Sequence, residues 1–275
     1  MKVVKFGGSS LANAAQVQKV VNIIKADDQR RFVVVSAPGK RFAGDIKVTD
    51  LLITYANDVI KQRPLDDITN QIISRYREIA QAFHISDDDF NEIKAAIIKL
   101  PDHSYQDNDY LMAAFKAHGE KLNAVLFAKV LTSAGLNAKY LDPKDAGLVV
   151  TDRPNDADII PESYDRLGEW ASSSIIRVIP GFFGYNLQGQ ICTFSRGGSD
   201  ITGAIVARGV HATKYENFTD VNAIYAANPK VVENPIAIHH MTFREMRELA
   251  YAGFSVFHDE ALIPAIQGDI EVVVK

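Results

Sequence analysis

Val3-Val4-Lys5-Phe6-Gly7-Gly8-Ser9-Ser10 opens the chain with a change of local structure. Val3 to Phe6 is a short apolar run suited to a buried strand. Two glycines end it. Beyond them Leu11, Ala14, Val17, Val20, Val21 and Ile24 recur at helical spacing. Phe32-Val33-Val34-Val35 is a second buried strand, and Ser36-Ala37-Pro38-Gly39 closes it. Strand, helix and strand with short connections read as a βαβ unit of a parallel sheet.

The segment from about 48 to 135 is mostly helical. Ile68, Ile72, Tyr76, Ile79 and Phe83 mark one amphipathic helix. Phe90, Ile93, Ile97 and Leu100 mark another, stopped by Pro101. Leu122, Val125, Leu126 and Val130 mark a third, which His118-Gly119-Glu120 opens and Gly135 caps. Strands return at 138–141, 147–150, 175–179 and 191–194. Residues 151–161 are polar and Pro-containing, hence a loop. Lys214 to Phe218 is strand-like, helical patterns start at Ile201 and Phe243, and the chain closes on a strand at 270–274. No repeat, low-complexity tract or interdomain linker interrupts this order, which describes one α/β domain.

The chain has 275 residues, 47% of them hydrophobic and 23% charged, the balance of a soluble globular protein. A net charge of -4 argues against a nucleic-acid partner. Cys192 is the one cysteine, so no internal disulfide forms and a reducing compartment is expected. The N-terminus carries no long apolar stretch of the signal-peptide kind. No apolar run approaches the roughly 18–20 residues that span a bilayer. No membrane association is expected, and the cytoplasm is the expected location.

Four motifs could carry chemistry. In Lys5–Ser10, glycines after a strand let backbone N–H groups approach an anion, and Lys5 can reach the same anion. A tight turn with a solvated lysine fits the bare motif equally. Phe194-Ser195-Arg196-Gly197-Gly198-Ser199-Asp200 repeats the arrangement. Arg suits a carboxylate through its bidentate fork, whereas Ser199 or Asp200 could simply cap the helix. Asn217 to Lys230 places a Thr219-Asp220 pair beyond a strand, then Tyr225 and Lys230. That set suits a nucleotide pocket or an ordinary turn. Glu120 could grip an ammonium group, or merely favour a helix dipole from a first turn.

Together these stretches resemble the aspartate kinase family. Lys5–Ser10 looks like its K-F-G-G-[TS]-S opening, Ser195–Asp200 like its R-G-G-S-D element, and Thr219–Tyr225 like T-D-V-x-x-[IV]-Y, in the right order and spacing. The similarity extends into 36–49, 180–184 and 245–264. The resemblance implies one amino-acid kinase catalytic domain over 1–275. Its fold is a three-layer α/β sandwich, a mostly parallel central sheet with helices on both faces. A helical substrate-side lobe would occupy roughly 48–135 and a nucleotide half roughly 190–275. It implies transfer of the ATP γ-phosphoryl group to the side-chain carboxylate of L-aspartate, giving 4-phospho-L-aspartate. That product would feed lysine, threonine, methionine and isoleucine synthesis.

By the same resemblance Lys5 and Asp200 are catalytic, Lys5 at the phosphates and Asp200 between the substrates. Ser36, Thr49, Glu120, Phe182, Arg196 and Ser199 line the aspartate site. Arg196 would clamp the α-carboxylate and Glu120 would take the ammonium. Lys5, Gly7, Gly8, Ser9, Thr219, Asp220, Tyr225 and Lys230 would hold ATP, with Mg²⁺ arriving on the nucleotide and no separate metal site. A homodimer is implied.

Two departures stand out. Where the family often carries F-G-A-K-V-L-H-P, this chain reads Ala252-Gly253-Phe254-Ser255-Val256-Phe257-His258-Asp259. Ser255 cannot supply the lysine charge, which Lys230 or Lys5 would have to carry. The paired ACT domains that usually follow are not among these residues. Rivals are an acetylglutamate, glutamate or uridylate kinase of the same fold, or a non-catalytic ATP-binding protein on it. Glu120 with Arg196 favours a free α-amino acid over an acetylated amine or a nucleotide. A dehydrogenase is disfavoured by the missing G-x-G-x-x-G. The adjacent His239 and His240 would point to opposite faces of a strand and make a poor metal site.

Overall fold

A computed structural model describes residues 1–195, 197–219, 224–225, 232–233, 236–238, 240–251 and 259–275. The expected βαβ unit is present: β1 (Lys2–Phe6), a 3₁₀ turn (Gly8–Leu11), α1 (Ala14–Lys25) and β2 (Arg30–Val35). The Asn13 side chain caps α1 by accepting from the Gln16 N–H at 3.0 Å. Four helices follow, α2 (Val48–Ile60), α3 (Asp66–Ala82), α4 (Asp87–Ile98) and α5 (Asn108–Ser133).

The sequence expectation for α5 needs correction. It begins at Asn108, capped by the Asp107 side chain, well before His118. Ala113, Ala114, Phe115 and Ala117 are buried along this earlier part, so packing on several sides hid the amphipathic pattern. Glu120 therefore lies deep within the helix, which removes the first-turn explanation for it. At the other end Gly135 adopts φ +85° just past the helix. There the Leu136 N–H reaches the Leu131 carbonyl at 3.0 Å, as a Schellman-type stop requires.

The remaining elements are β3 (Ala138–Tyr140), α6 (Ser163–Gly168), β4 (Ile176–Pro180), β5 (Phe183–Tyr185), β6 (Ile191–Thr193), α7 (Gly198–Gly209) and β7 (Lys214–Phe218). After these come β8 (Ile224–Tyr225), β9 (Ala237–Ile238), α8 (Phe243–Tyr251), α9 (Ile263–Gln267) and β10 (Glu271–Val274). Residues 147–150, expected as a strand, form only single bridges, Val149 to Tyr185 and Val150 to Ile159. Gly147 turns the chain at φ +76°, and the Leu148 N–H closes that turn on the Pro143 carbonyl at 2.8 Å.

The main sheet has the order β10-β7-β1-β2-β4-β3, and its neighbouring strands all pair in parallel. Alternation along the strands splits the core. Val4, Phe6, Val33, Val35 and Val178 pack with α1 to α5 on one face. Val3, Phe32, Val34 and Ile179 pack with α6, α7 and α9 on the other. Each fully buried Val or Phe contributes on the order of 1.5–3 kcal/mol. The result is the expected three-layer sandwich, and the helices of 48–135 share one core with β1 and β2. Arg30 Nε donates to Glu216 at 2.6 Å, and Lys275 Nζ donates to the other oxygen of Glu216 at 2.6 Å. This triad, with Arg30 and Glu216 buried and Lys275 at the surface, ties β2 and β7 to the chain just past β10.

Candidate active site

The site gathers where the parallel strands end, the usual place for a ligand crevice in an open α/β sheet. Val3 faces α7, so Lys5, two residues on, faces it too. Lys5 is 7% exposed, and its Nζ lies 2.8 Å from Asp200 Oδ1 in the first turn of α7. The alternative of a solvated lysine is thereby excluded. Asp200 does not cap the helix either. Asn217 stands opposite Lys5 in the β1–β7 register, and its Nδ2 donates to the same Asp200 oxygen at 2.6 Å.

The two glycine turns are built by close backbone approach. The Gly39 N–H donates to the Gly8 carbonyl at 2.8 Å. A Cβ on Gly39 would meet Gly8 backbone carbon at 2.6 Å, so the turns after β1 and β2 are locked face to face. The N–H groups that start the 3₁₀ turn at Gly8 and Ser9 have no partner within it. Ser9 is exposed and Gly7 half-buried, with the Gly7 N–H on the Phe218 carbonyl at 3.3 Å. Arg75, 3% exposed, fastens the following loop through the Gly39 and Ile46 carbonyls and Asp45.

On the far side, the end of β4 meets the start of α7. A Cβ on Gly181 would lie 2.5 Å from Ser199 Oγ, and one on Gly198 2.3 Å from Phe182 Cδ2. Phe182 is held at φ +79°, a left-handed conformation that costs a bulky residue energy. Its N–H donates to Thr202 Oγ1 at 3.0 Å, and Thr202 in turn donates to the Gly198 carbonyl at 2.8 Å. The N-terminus of α7, with its positive dipole end, opens onto this junction.

Between the two sides lies Glu120, 6% exposed. Burial pushes its pKa up to about 8, against the hydrogen bonds from the Ala37 and Glu120 N–H groups and the charge of Lys116. Its Oε2 has no hydrogen-bond partner among the described residues. A buried carboxylate oxygen without a partner is costly, and an ammonium group is the natural partner. Ser36 is half-buried beside Ala37, its carbonyl fixed by Asn123 Nδ2 at 2.6 Å. Thr49 sits in the first turn of α2, with Oγ1 3.9 Å from where a Cβ on Gly119 would be.

Thus Lys5 pairs with Asp200, Gly8 packs against Ala37 and Gly39, and Glu120 and Thr49 lie beside Ala37 and Gly119 respectively, with the Ser36 N–H on the Phe6 carbonyl at 3.2 Å. Phe182 and Ser199 are joined through the Gly181–Gly198 contact. Thr219 follows β7, its N–H on the Lys275 carbonyl at 2.9 Å. Arg196, Asp220, Lys230, His239 and Ser255, and the side chain of Tyr225, lie outside the described residues. Sequence reasoning missed Asn217, Asn123 and Thr202. Asn217 carried no such signal, since it meets Lys5 only through the register of two strands remote in sequence. Asn123 was detectable, three residues on from Glu120 along one helix face.

No group of three or more His, Cys, Asp or Glu side chains converges among the described residues. Asp200 offers a hard oxygen, which suits a Mg²⁺ bound through one or two carboxylates and otherwise by phosphates and water.

The model of the amino acid kinase family matches residues 1–275. Aspartokinase 3 of Bacillus subtilis (strain 168) is 48% identical over 275 residues, which are 100% of this chain and 61% of that protein. An aspartate kinase structure from Clostridium acetobutylicum superposes with a TM-score of 0.87 at 37% identity, covering 100% of this chain and 60% of that one. E. coli aspartokinase III in complex with aspartate and ADP gives 0.75 at 27% identity, covering 100% and 61%. The chain thus spans about three-fifths of the length of these relatives.

Proposed function

The chain belongs to the amino acid kinase family, and on that premise we propose that it transfers the γ-phosphoryl group of ATP to the side-chain carboxylate of L-aspartate. One observation carries the choice of acceptor: the buried Glu120, with its pKa raised to about 8 and Oε2 unpartnered among the described residues. Such a group suits a free α-ammonium. An acetylated amine has no charge to offer it, and a nucleotide acceptor has no use for it. Aspartate and ADP occupy the E. coli relative, which supports the same assignment.

The Gly7–Ser9 turn and Lys5 receive the nucleotide phosphates. Glu120 takes the substrate ammonium, with Ser36, Thr49, Phe182, Ser199 and Arg196 around the rest of the amino acid. The acceptor carboxylate is already ionised near neutral pH, so no general base is required. Its oxygen attacks the γ-phosphorus as the bond to the ADP oxygen breaks, giving an acyl phosphate. Catalysis then consists of alignment and of charge neutralisation by Lys5. Asp200, with Asn217, holds the Lys5 ammonium in place. Mg²⁺, carried by the phosphates with Asp200 as its protein oxygen, would supply further neutralisation. Thr219, Asp220, Tyr225 and Lys230 complete the nucleotide side within 190–275. The cytoplasm as location and a homodimer as assembly belong to the same proposal.

The test is to incubate the purified chain with Mg-ATP, hydroxylamine and an acceptor, and to measure hydroxamate. Aspartate should give signal, with glutamate and N-acetylglutamate at background. Signal from N-acetylglutamate instead would overturn the assignment.

A further inference from the structure

No side chain of α3 is assigned to either substrate, yet two adjacent ones reach two different parts of the site. Arg75 and Tyr76 are 3% and 0% exposed. On a helix they point about 100° apart, so each meets its own neighbour. Arg75 runs to the loop after β2. It donates to the Ile46 carbonyl at 2.7 Å and to the Gly39 carbonyl, and it pairs with Asp45 at 3.2 Å. Gly39 is the residue that lies against the Gly8 and Ser9 backbone. Arg75 thus backs the glycine turn after β1.

Tyr76 runs to α5. Its hydroxyl donates to the Gly119 carbonyl at 2.9 Å, a carbonyl with lone pairs for both this bond and its helical one. Burial and the charge of Glu120 raise the Tyr76 pKa well above the ordinary tyrosine value, so the hydroxyl stays a donor. Gly119 is also where α5 lies directly on the chain past β2. A Cβ there would come 2.8 Å from Ala37 Cβ and 3.2 Å from Leu52 Cδ1. Glu120 is the next residue, and its carboxylate accepts from the Ala37 N–H. The turn of α5 that presents Glu120 is therefore clamped between Tyr76 and Ala37. The apolar stripe of α3 asks only for a ring at position 76. The hydroxyl is the part that packing does not explain.

We propose that α3 braces the site through these two positioning residues, Tyr76 holding Glu120 for the acceptor and Arg75 holding the Gly8–Ser9 turn for the nucleotide. This rests on the activity proposed above. Apolar packing is non-directional, whereas a hydrogen bond fixes a carbonyl in both distance and angle. A misplacement of about 1 Å at a reacting site can cost on the order of 100-fold, so directional supports behind Glu120 and Gly39 matter to function.

The experiment measures KM for aspartate and for ATP in the wild type, Tyr76→Phe and Arg75→Lys. Phenylalanine keeps the ring and removes the hydroxyl. It should raise KM for aspartate about 3- to 10-fold, the worth of one hydrogen bond, with kcat and KM for ATP little changed. Lysine keeps the charge and loses the fork. It should raise KM for ATP about 10-fold or more, with KM for aspartate little changed. A purely structural role would lower the thermal midpoints without this crossed pattern, so KM values that move together, or not at all, overturn the proposal. Should Arg75→Lys not fold, Tyr76→Phe decides alone, and an unchanged KM for aspartate overturns it. A wild type that forms no hydroxamate counts against the activity. Calorimetric Kd values for aspartate and for Mg-ADP then read the crossed pattern in the same variants, and its absence overturns the brace.

Discussion

At the scale of single residues, Glu120 sets binding against stability. Its carboxyl is desolvated, with a pKa of about 8 in the folded protein against about 4.3 in an unfolded chain. Between those values the folded state binds the extra proton, so stability falls as pH rises through this window and levels off above about 8. Glu120→Gln removes the ionisation. The variant should be more stable than the wild type near pH 8.5, on the order of 2–4 kcal/mol, with the gap closing towards pH 5. Urea melts at both pH values check this. The same substitution should weaken aspartate binding at least 100-fold, since a buried ion pair loses one partner. Aspartate binding at pH 7 should also release close to one proton as Glu120 ionises against the ammonium. Calorimetry in buffers of different ionisation enthalpy measures it, and a count of zero would mean that Glu120 is not the ammonium partner.

At the scale of elements, the site depends on strand ends and a helix start brought to backbone contact. Gly39→Ala would drive a Cβ to 2.6 Å from the Gly8 backbone, where no side chain can move aside. Overpacking of this kind costs about 1–3 kcal/mol, and the displaced Gly7–Ser9 turn should lose ATP affinity. Gly181→Ala strikes Ser199 at its Cα, at 2.7 Å, as well as at its hydroxyl. It should impair aspartate turnover more than ATP binding. Steady-state kinetics in each substrate separate the two variants, and an equal effect on both KM values would argue against two separable ends. The contrast is informative because both are glycine-to-alanine changes at the ends of parallel strands.

At the scale of the whole molecule, the triad of buried Arg30 and Glu216 with exposed Lys275 joins residues remote in sequence. Burial works to raise the Glu216 pKa, but hydrogen bonds and charge from Arg30 and Lys275 outweigh it and hold the carboxyl below its ordinary value. A depressed carboxylate stabilises the fold above its unfolded pKa of about 4.3, and that contribution is lost as pH falls through the folded value. Glu216→Gln should therefore lower stability at pH 7 by about 2–4 kcal/mol and flatten the loss of stability below pH 4. Thermal melts at pH 7, 5 and 3.5 follow it. A variant as acid-sensitive as the wild type would show that Glu216 is not the group responsible.

The local features were determined by the sequence alone. Apolar runs of four residues, separated by a helical repeat and glycine turns, admit a parallel α/β sheet and little else, because period and turn chemistry act over a few residues. Lys5, Glu120 and Asp200 could be singled out by type and motif. Their partners could not. That Asp200 answers Lys5 rather than capping α7, and that Asn217 stands beside both, depends on strand register across more than 200 residues of chain. The start of α5 was lost because a helix packed on several sides shows no stripe. Burial is a property of the assembled layers, and only it converts Glu120 from a surface acid into a desolvated one. The tertiary structure decided the charges of the site because desolvation and distance, unlike period, are not local quantities.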